Sequence, residues 1–459
     1  MYNSKIVLGY APTRRDLFPA PAQARLKRDE IRPRINEIIG KMDNVELVDI
    51  DGINEEGLLY DNESVPKIAE HFKRAGVDAL FVPHCNFGQE EAVGKLGKAM
   101  GKPFLLWGPR DDAPPEGFSQ RQTDIQCGLF ATSTALTAYG VPFTYIDNCW
   151  LKDRTLEDGL DNFIKVASTV KAFNSLRIGQ ISVRPRQFLS VRINEVELME
   201  KFGIEVVAIS PMEVISLTRG ILEKNKDRVG EFVADIKQRI DCSRMKEDEL
   251  ERIAAFELAL LATGERYQCT AMASDCWNQI RENLQIRFCF AFGDVTQRGL
   301  VVACETDVHG AIASALLTAA CRGTTPTFLA DLTIRHPGND NGELLWHCGP
   351  FPSSLAREGC KKMLVDGHGQ WELKGGDVTI VRFGVHEGNY KLFADEARGT
   401  DGPSTNGNYM WVETRSWVEW ERKLIYGPYV HHVSGAHGKY ASVIREACRY
   451  MKGVQYDCV

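Results

Sequence analysis

The sequence predicts an α/β protein with two Rossmann-like α/β domains built on parallel sheets. A C-terminal, mostly antiparallel and barrel-like β domain follows them. Three observations lead there. From Lys5 to Asp147 short apolar runs alternate with amphipathic helical stretches, the pattern of a parallel sheet covered on both faces. A second cycle of the same kind opens at RIGQISV (Arg177–Val183). After about residue 333 the chain turns to glycine, tryptophan and period-two segments such as DVTIVRF and YMWVET, the signature of antiparallel strands. The domain boundaries that follow are 1–173, 174–333 and 334–459.

In the first domain the expected strands are Lys5–Ala11, Val45–Ile50, Asp78–His84, Pro103–Gly108 and Pro142–Asp147. Helices are expected over Ala24–Lys41, Val65–Ala75 and Ile125–Tyr139, with Thr155–Phe173 as the link to the next domain. The second domain continues with the strand Ile204–Ser210 and helices over Lys246–Gly264 and Ala273–Leu284. A last helix is expected over Lys439–Met451. The glycine- and lysine-rich stretch Gly94–Pro103 matches neither a Walker loop nor a dinucleotide fingerprint, and reads as a helix with its C-terminal turn.

The 459 residues are 44% apolar and 25% charged, with a formal net charge of -7. This is an ordinary globular composition, and it gives no electrostatic reason to expect nucleic acid or an anionic membrane as partner. No apolar run approaches the ~18 residues of a transmembrane helix. The N-terminal residues lack the apolar centre of a signal peptide. Thirteen cysteines, with no CxxC pair among them, read as reduced thiols in a cytoplasmic protein.

Eight of the ten histidines lie between His309 and His437. Histidine is the commonest metal ligand and the usual near-neutral acid or base, so the clustering points to a site in this part of the chain. Glu305, in ACETDVHG, closes an apolar run before a helix that starts near Gly310, and carboxyl ends of strands are where open α/β sheets place ligands. Asp331 follows TFLA and is expected at another strand end. His347 stands behind the apolar run of ELLWHCG, and His431-His432 lie in YGPYVHHVSG. Of a histidine pair in a strand, only one ring faces a given side. Singly, each of these reads as a cap or a core residue. Together they form an oxygen and nitrogen donor set suited to manganese or magnesium before zinc. Asp307 and His309 read as turn and cap residues. Cys304 and Cys348 adjoin proposed ligands, but nothing marks either as an activated nucleophile.

The ordered set CETDVHGA, FLADLTIRH, LLWHCGPFP and PYVHHVSGAHG resembles the L-fucose isomerase and L-arabinose isomerase superfamily, particularly its shorter fucose-isomerase-like members. The resemblance implies an aldose–ketose isomerase working through an enediol, with a divalent metal: Mn2+ first, Mg2+ or Co2+ as alternatives. It implies Glu305 and Asp331 as metal-binding acid–base pair, with His432 and His347 as further ligands and His431 beside the substrate. Arg14 and Arg15, in GYAPTRRD, take the place of a loop that reaches a neighbouring subunit's site. A homo-oligomer is therefore implied, a hexamer or trimer of dimers, with its active sites at subunit interfaces. Arg184 and Arg186, in SVRPRQF, suit an anionic substituent. The small-molecule sugar expected is thus a deoxy sugar, a pentose or an anionic sulfo-sugar. An epimerase or lyase on the same scaffold, or a non-catalytic sugar-binding regulator, are the alternatives.

Overall fold

A computed structural model describes residues 5–16, 21–114, 121–277 and 279–459. The chain divides into two compact units, one over Ser4–Lys171 and one that contains Ala172–Val459. The expected middle and C-terminal domains thus fall within a single unit.

The N-terminal unit carries five strands, β1 (Ile6–Tyr10), β2 (Val45–Asp49), β3 (Ala79–Pro83), β4 (Phe104–Trp107) and β5 (Thr144–Tyr145). All pairings are parallel and the order is β2-β1-β3-β4-β5. β1, β3 and β4 are buried along their whole length, as a parallel sheet covered on both faces requires. Helices lie on each side and bury two separate cores. One is built around Ile31, Ile35 and Phe163, the other around Phe72, Leu96 and Leu129. The lysine- and glycine-rich stretch is indeed helical. Glu90–Met100 has Glu90 and Glu91 in its first turn and ends on Gly101 in the left-handed region at φ +58.

The second unit opens with four parallel strands, β6 (Arg177–Ile181), β7 (Glu205–Ile209), β8 (Ala271–Ser274) and β9 (Val301–Cys304), in the order β7-β6-β8-β9. One correction concerns β8. Ala273 and Ser274, expected in a helix running to Leu284, belong to this strand, and the helix is only Gln279–Leu284. AMAS has no β-branched residue, so local propensity favours a helix. Its position between β6 and β9, buried on both faces, overrides that preference.

The remaining strands are β10 (Phe328–Arg335), β11 (Gly342–His347), β12 (Met363–Val365), β13 (His368–Glu372), β14 (Asp377–His386), β15 (Asn389–Thr400), β16 (Asn408–Glu413), β17 (His432–His437) and β18 (Val454–Asp457). They form one mixed sheet ordered β12-β13-β16-β11-β10-β17-β14-β15-β18, with an additional pairing between β15 and β16. The helix Val308–Ala320, small and apolar nearly throughout, packs against β8 and β9 on one side and β14 and β17 on the other. It is the element that presses the parallel sheet against the mixed one. Among the described residues, no helix is long and apolar enough to cross a membrane.

Candidate active site

β9 is entirely buried and ends at Cys304. The next two residues, Glu305 at φ +61 and Thr306 at φ +56, both sit in the left-handed region, which costs free energy for any residue with a Cβ. The turn is held from outside. The Thr306 N–H donates to the Ser274 carbonyl at 3.1 Å, and Asp307 caps the following helix by accepting from the Gly310 N–H at 3.0 Å. Glu305 is thereby lifted off the carboxyl end of the parallel sheet. Its Oε1 accepts a hydrogen bond from the Trp277 indole N–H at 3.1 Å.

The mixed sheet supplies the facing side. Asp331 is not at a strand end, as its position after TFLA suggests, but inside β10, because the strand continues through LTIR. Its cross-strand partners are His432 on β17 and Trp346 on β11, and His347 is the last residue of β11. Antiparallel register thus brings together residues about a hundred positions apart in the chain. His432 Nε2 lies 3.1 Å from Glu305 Oε2 and 3.4 Å from Asp331 Oδ1. Of the histidine pair, His432 is fully buried while His431 is 44% exposed, 3.9 Å from Asp331.

Behind His432 stands a buried ion pair. Its Nδ1 is 2.9 Å from Asp307 Oδ2, and Arg382 grips Asp307 with both terminal nitrogens, at 2.5 and 3.0 Å. Asp307 therefore does more than cap a helix: it orients the imidazole so that Nε2 faces Glu305 and Asp331. Burial alone would lower the pKa of His432, but Asp307 and Glu305 outweigh it and push it up to about 9. Asp307 is held well below the usual carboxylate range despite its burial, by Arg382 and His432. His309 shows the opposite balance. Burial, with Arg382 nearby, pushes it down to about 4.

Asp331 Oδ1, His347 Nε2 and His432 Nε2 are buried and make no well-aligned hydrogen bond, His432 Nε2 meeting Glu305 and Asp331 only as ion-pair contacts. Orphaned polar atoms of this kind are expensive, and three converging beside a carboxylate call for a common ligand. Separations near 3 Å are those of adjacent donors on one divalent ion with bonds of about 2.1 Å. Two carboxylates and two imidazoles are also a donor set that such an ion accepts. The residues fit a metal. Glu305, Asp331 and His347 border a cavity of about 450 Å³ lined in addition by Phe188, Trp277, Trp346, Arg281 and Arg287, with His432 buried behind the two carboxylates.

The loop after β6 reaches this cavity, but through Phe188, whose ring lies 5.0 Å from Trp277 and 6.1 Å from His432. Arg184 donates to the Pro185 and Arg186 carbonyls, each at 3.3 Å, and Arg186 is exposed. The lining includes neither. In the N-terminal unit, Arg14 is buried, paired with Glu56 at 2.6 Å and Asp16 at 2.5 Å, and lies 3.9 Å over the Tyr60 ring. Arg15 lies 3.5 Å over Phe87 and bonds Glu90 at 3.2 Å. Both arginines shape their own loop. Sequence reading missed Trp277, Arg281, Arg287 and the pairing of Arg382 with Asp307.

Fold and site define an α/β protein with a carboxylate and imidazole centre where a parallel sheet meets a mixed one. Residues 9–174 match the family model described as "Fucose/sulfoquinovose isomerase, N-terminal domain". The sulfoquinovose isomerase of Alkalicoccus urumqiensis is 25% identical over 334 residues, covering 71% of this chain and 73% of the relative. That of Priestia aryabhattai is 25% identical over 346 residues, 74% of this chain and 76% of the relative. A third sulfoquinovose isomerase, from Clostridium sp. (strain MSTE9), is 22% identical over 284 residues, covering 61% of each chain. These matches make the chain similar to the fucose/sulfoquinovose isomerases, most directly over residues 9–174.

Proposed function

We propose that this chain is a metal-dependent aldose–ketose isomerase acting on the open form of a sulfonated hexose. The observation that carries the reading is that Glu305, Asp331 and His347 line one sugar-sized cavity while the buried His432 Nε2 faces both carboxylates from behind. The names of the relatives support the sulfonated substrate.

Isomerisation moves a proton between C1 and C2 while the two neighbouring oxygens exchange carbonyl and hydroxyl character. Glu305 and Asp331 stand on opposite sheets, so a sugar between them meets a carboxylate on either side. One takes and returns the carbon proton, and the other handles the oxygen proton. Trp277 fixes one oxygen of Glu305 and leaves the other directed at His432. Asp307 and Arg382 hold His432 so that its Nε2 remains a ligand atom. The divalent ion that Glu305, Asp331, His432 and His347 would hold supplies Lewis-acid stabilisation of the charge developing on the sugar oxygens. Phe188, Trp277 and Trp346 give the cavity apolar walls that limit water. Arg281 and Arg287, rather than Arg184 and Arg186, receive the anionic substituent. The reading includes a homo-oligomer with sites at its interfaces, checked by the mass in solution.

The test incubates manganese-loaded protein with sulfoquinovose, fucose, arabinose and glucose in deuterium oxide. Ketose formed from the sulfonated sugar, with deuterium at the transferred position, is the expected result. An epimer or a cleaved product in place of the ketose assigns different chemistry, and no turnover of any sugar rejects the reading.

A further inference from the structure

Next to this centre, four cysteines that no part of the proposed reaction uses turn their sulfurs toward one another. Cys276 lies just beyond β8, and Cys289 is the first residue of the helix Cys289–Gln297. Cys304 ends β9, and Cys348 follows β11. Cys304 Sγ is 3.1 Å from Cys276 Sγ, and Cys348 Sγ is 3.3 Å from Cys289 Sγ. The sulfurs of Cys276, Cys289 and Cys304 all lie within 4.8 Å of one another, as do the donor atoms of Cys289, Cys348 and His368. Cys289 and Cys304 are buried, while Cys276 and Cys348 are half-buried at the wall of the cavity.

Free thiols in a protein interior usually pack singly against apolar neighbours. Four facing inward from four separate elements are a different arrangement. The separations exceed the ~2.05 Å of a disulfide and approach the ~3.8 Å between sulfurs bonded tetrahedrally to one ion at ~2.3 Å. A multinuclear iron–sulfur cluster would need the sulfurs spread around a larger core.

We propose that Cys276, Cys289, Cys304 and Cys348 form a second metal site, a closed tetrahedral tetrathiolate for a zinc-type ion. Binding releases the four thiol protons to solvent and leaves the complex with a charge of two minus. Arg287, 3.3 Å from His368 Nε2 at the edge of the cluster, lies where it offsets part of that charge. Softness separates the two centres. Thiolates select zinc, whereas the carboxylates and imidazoles of the neighbouring site suit manganese or magnesium. With four protein ligands no position remains for substrate, so the role is structural. The placement gives it a purpose: Cys304 precedes Glu305 and Cys348 follows His347, so one ion fastens both sheets directly beside the candidate centre. The proposal does not depend on the isomerase reading.

The test uses full-length protein purified anaerobically with a reductant. Metal analysis is expected to find about one zinc per chain that survives dialysis against a chelator and persists in Glu305→Gln. Cobalt exchange is expected to give thiolate-to-metal charge-transfer absorption saturating at about one equivalent. That absorption should disappear in both Cys276→Ser and Cys348→Ser, and persist in Glu305→Gln. The wild-type titration needs no variant to fold. It is paired with thiol counting, in which the four cysteines resist a thiol reagent until the metal is stripped. The proposal is overturned by absence of the charge-transfer band, by equal thiol reactivity with and without metal, by a Cys276–Cys304 disulfide in freshly reduced protein, or by loss of the band in Glu305→Gln.

Discussion

The two parallel sheets are wound the same way, yet among the described residues only the second gathers carboxylates and imidazoles at its carboxyl ends. In each, the first strand is interior, the second lies outside it at one edge, and the third and fourth extend to the other side. At the carboxyl ends of the N-terminal sheet most polar groups bond one another, His84 Nε2 being buried without a partner. The Thr13 hydroxyl donates to the Leu59 carbonyl at 2.8 Å and accepts from the Gln89 N–H at 3.0 Å. Asn86 Oδ1 accepts from the backbone of Arg15 at 2.8 Å and Gly88 at 3.0 Å, and Arg14 is spent on Glu56 and Asp16. At the same ends of the second sheet, Glu305 is held in a strained turn and faces donor atoms without partners. The fold is common to both, and the site comes from what β10, β11 and β17 bring against the second.

The largest expected effect tests that distinction directly. Glu305→Gln and Asp331→Asn should each lower kcat/KM by about 10²–10⁴-fold, the span of a lost general acid or base. Metal content measured on the same samples separates lost proton transfer from lost binding. Wild-type turnover in either variant would leave nothing functional to set one sheet apart from the other. Next comes the buried pair behind His432. Asp307→Asn leaves Arg382 charged and uncompensated, and should cost about 3–5 kcal/mol of stability in denaturant unfolding. Metal affinity in the surviving folded protein should fall about 10–100-fold, because His432 loses the group that orients it.

The comparison also explains what the sequence could convey. Strands such as IVLGY and ALFVP are legible because burial on both faces leaves an unbroken apolar run. AMAS is not legible, since its strand character comes from its neighbours. Glu305, His347 and His432 each sit at an element boundary marked by local pattern, so a resemblance carried by short motifs could find them. Asp331 is singled out by the apolar run before it, but its place inside β10 depends on register and is not legible. Arg382 and His432 meet Asp307 across 75 and 125 residues, and no window of sequence joins them. The four thiols are equally dispersed, at 276, 289, 304 and 348, so the lack of a CxxC pair concealed their convergence. Arg184 and Arg186 read as an anion site from sequence because guanidinium groups are conspicuous. The fold turns Phe188 of the same loop to the cavity instead.

A buried imidazole extends the contrast to pH. His84, next after β3, is fully buried and has no carboxylate partner, and burial pushes it down to about 4. Its Nδ1 meets the Phe87 carbonyl at 3.0 Å, while Nε2 has no hydrogen-bond partner. Above pH ~6.5 the ring is neutral folded or unfolded, and contributes no pH dependence. As the pH falls from 6.5 to about 4 only the unfolded chain takes the proton, so stability is lost over that window. The shift corresponds to about 3 kcal/mol. In native-state hydrogen exchange, His84→Gln should remove most of this acid sensitivity from the N-terminal unit. An unchanged slope between pH 6.5 and 4 would assign the acid lability to other groups.

The smallest effect concerns selectivity, and it asks whether the cavity or the loop after β6 reads the substrate's charge. Arg281 and Arg287 line the cavity that Glu305 and Asp331 border. Both are exposed enough that solvent weakens the attraction, so a charged hydrogen bond there is worth about 1.5–3 kcal/mol at most. Arg281→Ala and Arg287→Ala should each raise KM for a sulfonated hexose about 10–100-fold. The loss should grow smaller as salt rises, with kcat changed little and any turnover of a neutral aldose unaffected. Arg184→Ala and Arg186→Ala should leave all of these parameters near wild type. The reverse pattern, with the loop arginines controlling KM for the anion, would move the substituent out of the cavity. It would also mean that the sugar lies across the mouth of β6, with Phe188 beneath it rather than beside it.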